Sequence, residues 1–435
     1  MTEKTELLQK QNLNKIVQMM YEGCKSEGTM NLGVELEHFI VRKDTQTAVC
    51  YYGRNGMQDI LNRLLKSYPN AKGVYERGKD SSGTNSSLLM GIDAGNFSVS
   101  LEPAAQLEIS ISPRESICEI ETIYQEFREH LDFVLDACDA SCVTMGYHPY
   151  QKAEELELIP KERYRVMDAY FAQIGNAGRQ MMRATASTQI SIDYTSCSDF
   201  RKKYQAAYVL TPVFKFLTDC TPVYEGNKNG QLLRRSCIWE EVDSDRTGIV
   251  PEAISGEFTF RDYAVYLWNL PLVYCPKELL PLSFVRELKE TEVSQKISPA
   301  VGRLTPAQIW KEEEMTNDAI WHMMSMAFPD VRLKNYIEIR GADAMPVSRV
   351  LSYAALVKGL LYNKEIIDKI DQEVQLQNIT EHHIKKAEQA IQKEGKDAVV
   401  YRQNIVLLCK KLLQKAYDFL PKEEKKYLEM EKLCK

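Results

Sequence analysis

Glutamate is depleted in β-strands, and a carboxylate withdrawn from water must be paired or bind a metal. In this chain glutamates nevertheless recur inside strand-like runs. Glu35 and Glu37 stand two apart in GVELEHF, which puts both on one face of a strand with Val34, Leu36 and Phe39 expected partly or wholly opposite. In SVSLEPAAQLEISIS the odd positions Val99, Leu101, Ala105, Leu107, Ile109 and Ile111 are apolar, and the even ones carry Glu102, Gln106, Glu108 and Ser110. Pro103 limits the ladder of this strand but leaves the alternation intact. Thr185, Ser187, Gln189, Ser191 and Asp193 share a face in TASTQISID, and Glu338 shares one with Arg340 in YIEIR.

The simplest reading of any one such face is solvent, as on one side of many antiparallel sheets. Jointly the four faces are unlike solvent faces, because they carry carboxylates, amides and hydroxyls with Arg340 as the only cation. That composition suits a wet cavity lined for hard cations. Magnesium takes oxygen ligands and keeps water or phosphate oxygens in its shell, so carboxylates converging from separate strands would suit magnesium-bound ATP. Zinc would want paired His or Cys ligands, which the chain lacks. His38 is expected to face away from the carboxylate pair, and the adjacent His382 and His383 cannot share a helix face, so no histidine receives a catalytic role.

Familiar nucleotide and hydrolase motifs are missing. The phosphate-loop near miss GVYERGKD ends in Asp, and there is no GxGxxG, HExxH or GxSxG. Any nucleotide is held by other means. A second informative stretch runs from Arg234-Arg235 through Trp239 to Asp243, Asp245, Arg246 and Gly248. Guanidinium forks match carboxylate and phosphate oxygens, whereas the plainer alternative is a loop whose Asp and Arg pair with each other and whose Trp239 packs in the core.

These groups need a scaffold. Residues 5 to 27 have helical spacing of apolar residues, followed by the strand NLGVELEHFIV and the helix NGMQDILNRLLKSY. GVYERGKDSSGTNSSLLMGIDAGN reads as turn-rich structure with room for short strands and a mobile Ser/Gly loop. Ser112-Pro113-Arg114-Glu115 looks like a capping box opening a helix that runs to about Cys138. YRVMDAYFAQIG and SDFRKKYQAAYVLTPVFKFLTD read as helices around the strand TASTQISIDY, and YIEIRGAD as another strand. From Val350 onward the pattern is almost wholly helical, with Ile405, Leu408, Cys409, Leu412, Leu413 and Ala416 on one face. Strands and helices do not alternate strictly, so the fold class is α+β.

Composition narrows the function. A chain of 435 residues that is 44% hydrophobic can bury a large core, and a net charge of −6 offers no positive field for nucleic acid or an acidic membrane. Eleven scattered cysteines without a CxxC pair suggest reduced thiols, and no signal segment or long apolar run is seen. A cytoplasmic, non-membrane protein is expected.

The ordered blocks GVELEHF, SLEPAAQLEIS, PKERYRVM, MMRATASTQISIDY, RRSCIWEEVDSDRTG and FPDVRLKNYIEIRGAD resemble the glutamate-cysteine ligases of the plant and bacterial type. The resemblance implies a glutamine-synthetase-like catalytic fold, a curved and mainly antiparallel sheet with helices outside, over residues 31–362. An N-terminal helix over 1–30 and a helical extension over 363–435 would flank it. It further implies ATP and Mg²⁺ as cofactors, and ATP-dependent ligation of the glutamate γ-carboxylate to cysteine through γ-glutamyl phosphate, the first step of glutathione synthesis. By resemblance Glu35, Glu37, Glu102, Glu108 and Glu338 are the metal carboxylates, and Trp239 and Arg246 hold glutamate. Arg340 stands near the transferring phosphate, with Arg246 as a second catalytic arginine. Arg235, Thr185 and Gln189 join the substrate-binding set, and Gln106 joins Arg340 at the nucleotide. One departure is that the plant-type enzymes carry arginine directly before the threonine of TASTQISID, whereas here Ala184 precedes Thr185 and Arg183 lies one step earlier. On a strand that step would reverse the face. A sister ligase using another amine, and a non-catalytic metal or nucleotide sensor on the same sheet, are the rival readings.

Overall fold

The computed structural model describes residues 3–175, 177–287 and 304–428. Among them, nine strands form one antiparallel sheet: β1 (Leu32–Arg42), β2 (Lys72–Lys79), β3 (Asn85–Asp93), β4 (Phe97–Leu101), β5 (Leu107–Arg114), β6 (Ala140–Val143), β7 (Ser187–Ile192), β8 (Val331–Leu333) and β9 (Ile337–Asp343). Their order is β8-β9-β7-β1-β5-β4-β3-β2, and β6 pairs with the far half of β1. The expected mixture of helices and antiparallel sheet is present.

The pairing aligns the polar positions into rows. Across one row Arg332 faces Glu338, Glu338 faces Ser191, and Ser191 faces Gly33. In the next, Gln189 faces Glu35, Glu35 faces Ser110, and Ser110 faces Ser98; then Glu37 faces Glu108, which faces Ser100. Because side chains alternate along every strand, these residues all emerge on one side of the sheet. The other side is apolar and buries Val34, Leu36, Leu107, Ile109, Ile190, Ile192, Ile337 and Ile339. It packs against α3 (Ile117–Asp136), α6 (Cys197–Thr218) and the helix Val347–Leu361. His38 lies on this buried side, its ring nitrogens bonded to the Leu107 carbonyl and the Tyr124 hydroxyl.

Three expectations about local structure are corrected. SVSLEPAAQLEISIS is a hairpin of two strands, since Pro103 has no N–H to donate, Ala105 takes the left-handed φ of 67°, and the Gln106 side chain accepts the Ala104 N–H to close the turn. GVYERGKD and the residues to Asp93 form the paired strands β2 and β3, whose pairing runs from Lys72–Asp93 to Lys79–Asn85 with one register shift between Val74 and Tyr75. The cap of α3 is Ser116, whose hydroxyl accepts the Cys118 N–H, while Ser112 is still in the sheet region and donates its N–H to Asn96.

On the polar side, α4 (Glu162–Ile174), α5 (Gly178–Ala184) and α7 (Arg234–Glu240) form a partial roof. At the N-terminal end, α1 (Glu3–Glu22) packs against the helix Phe260–Asn269, and Asn12 ties it to Trp310, Glu313 and Met315. The C-terminal helices Lys364–Gln377, Glu381–Glu394 and Ile405–Phe419 pack on α6 or on Val347–Leu361, and one hydrophobic core runs from Ile16 to Leu428. Among the described residues, no helix is long and apolar enough to cross a membrane.

Candidate active site

The polar rows and their helical roof enclose a cavity of about 250 Å³. Its floor is Glu35, Glu37, Glu108, Ser187 and Gln189, and Glu102 reaches in from the β4–β5 turn. The roof supplies Arg163, Tyr164 and Met167 from α4, Met181 and Met182 from α5, and Arg235 and Trp239 from α7. Ser325, Phe328, Arg332, Lys334 and Arg340 close the remaining side.

The carboxylates fall into two electrostatic classes. Burial pushes Glu35 and Glu108 up to about 8 and Glu102 to about 7, and neighbouring carboxylates add to each shift. Glu37 is also raised by burial, although Ser187 opposes this by donating its N–H at 2.8 Å and its hydroxyl at 2.7 Å to the carboxylate. Like charges crowded in a poorly hydrated site disfavour ionisation of them all, and a cation would relieve that strain. Glu338 is different. Burial alone would raise it, but Arg332, Lys334 and Arg340 hold it well below the usual carboxylate range, with contacts of 2.7, 3.1 and 2.8 Å. In this structure its charge is compensated by these three cations, unlike those of the other four carboxylates.

Whether the other four fit magnesium depends on donor chemistry. Among the described residues, no three Asp, Glu, His or Cys side chains form a group able to hold a metal unaided. Magnesium commonly binds through one or two carboxylates, with waters and substrate phosphates completing its shell. Oxygen donors spread around a small polar cavity fit that habit, with Glu37, Glu102, Glu108 and Glu35 as the groups available.

Among the described residues, four buried donors at this cavity are left without a hydrogen-bond partner: Arg163 Nε, Arg235 Nε, Arg340 Nε and the indole Nε1 of Trp239. A buried N–H without an acceptor costs about 1–3 kcal/mol, and all four of these side chains border the cavity. The guanidiniums are fixed at their other nitrogens: Arg163 donates to the Ser325 hydroxyl and carbonyl, Arg235 to the Arg340 carbonyl, and Arg340 to Gln189 and Glu338. Arg235 and Arg340 lie 5.3 and 6.0 Å from the Trp239 ring. A wall of held arginines facing carboxylates can seat an anionic substrate against a bound cation.

Several sequence expectations change here. Arg246 is not at the cavity: it is 1% exposed, and its guanidinium is consumed by Asp243 at 2.5 Å, the Met326 and Pro271 carbonyls and the Tyr170 hydroxyl. Within the one loop motif, the Asp–Arg pairing reading holds for Arg246 while Trp239 faces the cavity. Gln106 borders the cavity, but its amide is spent on Ala104 N–H and on the carbonyls of Met182, Arg183 and Thr185, so it braces the turn instead of reading a nucleotide. Thr185 borders it too, with its hydroxyl given to the Met181 carbonyl at 2.6 Å. Arg183 and Ala184 sit in the last turn of α5, so the strand-face argument does not apply to them; Arg183 pairs with Asp168 at 2.7 Å. Gln189, Arg235, Trp239 and Arg340 do come together.

The sequence reading missed Arg163, Arg332 and Lys334, and Arg340 is not the only cation on the polar faces. For Arg332 and Lys334 a signal exists: VRLKN alternates, with Val331 and Leu333 buried and the two cations on the face of Glu338. Arg163 lies in the first turn of helix α4 between the half-buried Glu162 and the buried Tyr164, where spacing gives no cue.

Residues 31–415 match the family model described as glutamate-cysteine ligase family 2. The chain is 28% identical over 372 residues to a chloroplastic glutamate–cysteine ligase of Brassica juncea, covering 84% of this chain and 66% of that one. It is 30% identical over 374 residues to the chloroplastic glutamate–cysteine ligase A of Oryza sativa subsp. indica, covering 84% and 69%. The chain thus spans about two thirds of these relatives' length. Its fold is similar to the crystal structure of a glutamate–cysteine ligase from Francisella tularensis in complex with AMP, with TM-score 0.50, 13% identity, and coverage of 93% of this chain and 81% of that one.

Proposed function

We propose, since this chain belongs to glutamate-cysteine ligase family 2, that it joins the γ-carboxylate of L-glutamate to the amine of L-cysteine at the expense of ATP. The product is γ-glutamylcysteine, the opening step of glutathione synthesis. The observation that carries this reading is one small cavity holding both uncompensated carboxylates and orphaned arginine and indole donors. A substrate that is itself a carboxylate, activated by a phosphate, needs both. The carboxylate-faced antiparallel sheet with helices behind it supports the glutamine-synthetase-like catalytic fold.

The residues divide the work as follows. Glu37, Glu102, Glu108 and Glu35 would hold magnesium, which when bound neutralises phosphate charge and aligns the phosphates. Arg340 and Arg235 stand side by side, and their free Nε–H groups are placed to receive the oxygens of the transferring phosphate and of the glutamate carboxylates. Trp239 offers its indole N–H to the same anion. Positioning supplies most of the acceleration: the γ-carboxylate of glutamate attacks the γ-phosphate of ATP and displaces ADP, then the amine attacks the resulting γ-glutamyl phosphate, expelling phosphate and losing a proton as the amide forms. No protein nucleophile is required. Binding of ATP rests on this reading, with support from the AMP in the Francisella tularensis relative. A cytoplasmic location belongs to the same proposal.

The test is ADP release with Mg²⁺, ATP and glutamate, with and without cysteine, with mass spectrometry of the product and other amines in parallel. Cysteine-dependent release with a γ-glutamylcysteine mass is the expected result. Turnover only with a different amine would replace the acceptor, and no turnover with any amine would favour a sensor.

A further inference from the structure

A buried lysine on the far side of the cavity wall has no part in this chemistry. Lys215, in the middle of α6, has a side chain only 4% exposed, and its Nζ lies 3.0 Å from Asp330 and 3.0 Å from Glu388. Glu388 comes from the helix Glu381–Glu394 and is itself buried. Burying Lys215 and Glu388 beside the partly exposed Asp330 is costly, and a fold can keep such a cluster because it specifies one arrangement over others.

The arrangement it specifies is at Arg340. The register of β9 on β7 breaks between Ile339 and Ala342, so Arg340 and Gly341 form an irregular step out of the ladder. The Arg340 backbone therefore has no register partner on β7, although its guanidinium still reaches Gln189, and the backbone is hung from two other groups. Its N–H donates to the Asp330 carbonyl at 2.9 Å, and its carbonyl accepts from both terminal nitrogens of Arg235 at 3.3 Å. Asp330 is in turn held by its own N–H to the Gly248 carbonyl at 2.8 Å and by its carboxylate to Lys215. The lysine stem runs over Gly341 so closely that a Cβ there would sit 3.2 Å from its Cε and 3.3 Å from its Cγ. Lys215 thus touches both residues flanking the support of Arg340: the aspartate that receives its N–H and the glycine that follows it. Lys215, Asp330, Gly341, Arg340, Arg235 and Trp239 also border one narrow cleft directly behind the cavity.

We propose that Lys215, pinned by Glu388, is a positioning residue for Arg340. It fixes Asp330 and the Arg340–Gly341 step so that the free guanidinium N–H meets the transferring phosphate. The C-terminal helix that carries Glu388 is then part of the support of the phosphate-facing wall. This rests on the ligase reading above, in which Arg340 faces phosphate.

The test is steady-state kinetics of the full chain, with active sites counted by stoichiometric ADP binding so that misfolded protein does not lower the turnover number. Lys215→Met alone would strand the buried Glu388, so the informative variant is the double Lys215→Met/Glu388→Gln, which removes both buried charges, keeps the volumes and leaves Asp330 with its partial solvent access. The expected result is a melting temperature near that of the wild type, kcat lower by about tenfold or more, and KM for the acceptor amine within about twofold. Recovery of kcat along with stability would make the cluster purely structural and overturn the proposal. Asp330→Asn provides a second route with only one partner changed, and the same split between kcat and KM is expected; wild-type kcat in that folded variant would also overturn it. A wild-type protein without ADP release would remove the ligase reading and this inference together, whereas wild-type turnover with unaltered variants would remove this inference alone.

Discussion

Raising the pH from about 6.5 to about 8.5 should destabilise the metal-free protein, and magnesium should cancel the effect. Burial, and secondarily mutual repulsion, pushes Glu35 and Glu108 to about 8 and Glu102 to about 7. In the unfolded chain a glutamate loses its proton near ~4.3. Between those values the folded protein holds protons that the unfolded chain has released. Stability from that difference is complete below the unfolded value and is lost as pH rises through the folded values. Two such protons over ~1.5 pH units, at about 1.4 kcal/mol per unit, come to roughly 4 kcal/mol, and partial solvent access reduces this to about 2 kcal/mol. For a chain of this size that is a fall of ~2–5 °C in melting temperature. His38, His148 and His322, lowered to about 4 by burial, act with the opposite sign, but only below ~6.5, where the unfolded histidines take up protons. Scanning calorimetry in chelator, repeated with excess Mg²⁺, reads the effect directly. A cation needs the ionised carboxylates, so its stabilisation should grow with pH. A melting temperature that is flat or rising without metal, or a magnesium effect independent of pH, would refute the assignment of these carboxylates as an uncompensated site.

Other outcomes follow from individual residues. Glu102→Gln should cut turnover at least ~100-fold, on the scale of a lost charge-stabilising group, with the circular dichroism unchanged; near-normal activity in the folded variant would remove Glu102 from the site. Arg163→Ala takes away a cavity donor and should raise KM for glutamate or ATP about tenfold, equivalent to ~1.4 kcal/mol, and unchanged kinetics would show that its free N–H meets no substrate. Arg246→Gln should act on stability, costing about 3–5 kcal/mol by leaving Asp243 buried without its partner. A folded Arg246→Gln variant of wild-type melting temperature with a raised KM for glutamate would return that arginine to the substrate site.

The polar face was legible in the sequence because a strand's side-chain period is fixed by local stereochemistry. Glu35 and Glu37 had to share a face whatever the partners of β1 were. SVSLEPAAQLEISIS kept its face even though it is a hairpin, since Leu101 pairs with Leu107 across a five-residue turn and even positions still meet even ones, Ser100 against Glu108. The same rule would have found Arg332 and Lys334 had VRLKN been read as a strand. Helix α3 was legible, but its cap was not, because Ser112 and Ser116 are equally good caps and only pairing in the sheet region chooses between them.

Tertiary structure alone decided which charged groups are spent and which are free. Trp239 and Arg246 belong to one motif, yet one faces the cavity and the other is bound on all sides by Asp243, Met326, Tyr170 and Pro271. Glu338 looked equivalent to Glu35 and Glu37 until Arg332 and Lys334 were brought against it. Gln106 looked like a ligand-reading amide until the end of α5 presented three carbonyls to it. Local sequence sets the direction in which a side chain leaves the backbone. Whether its hydrogen bonds are already made depends on which groups, from three to eighty residues away in these cases, the folded chain brings within 3 Å or so.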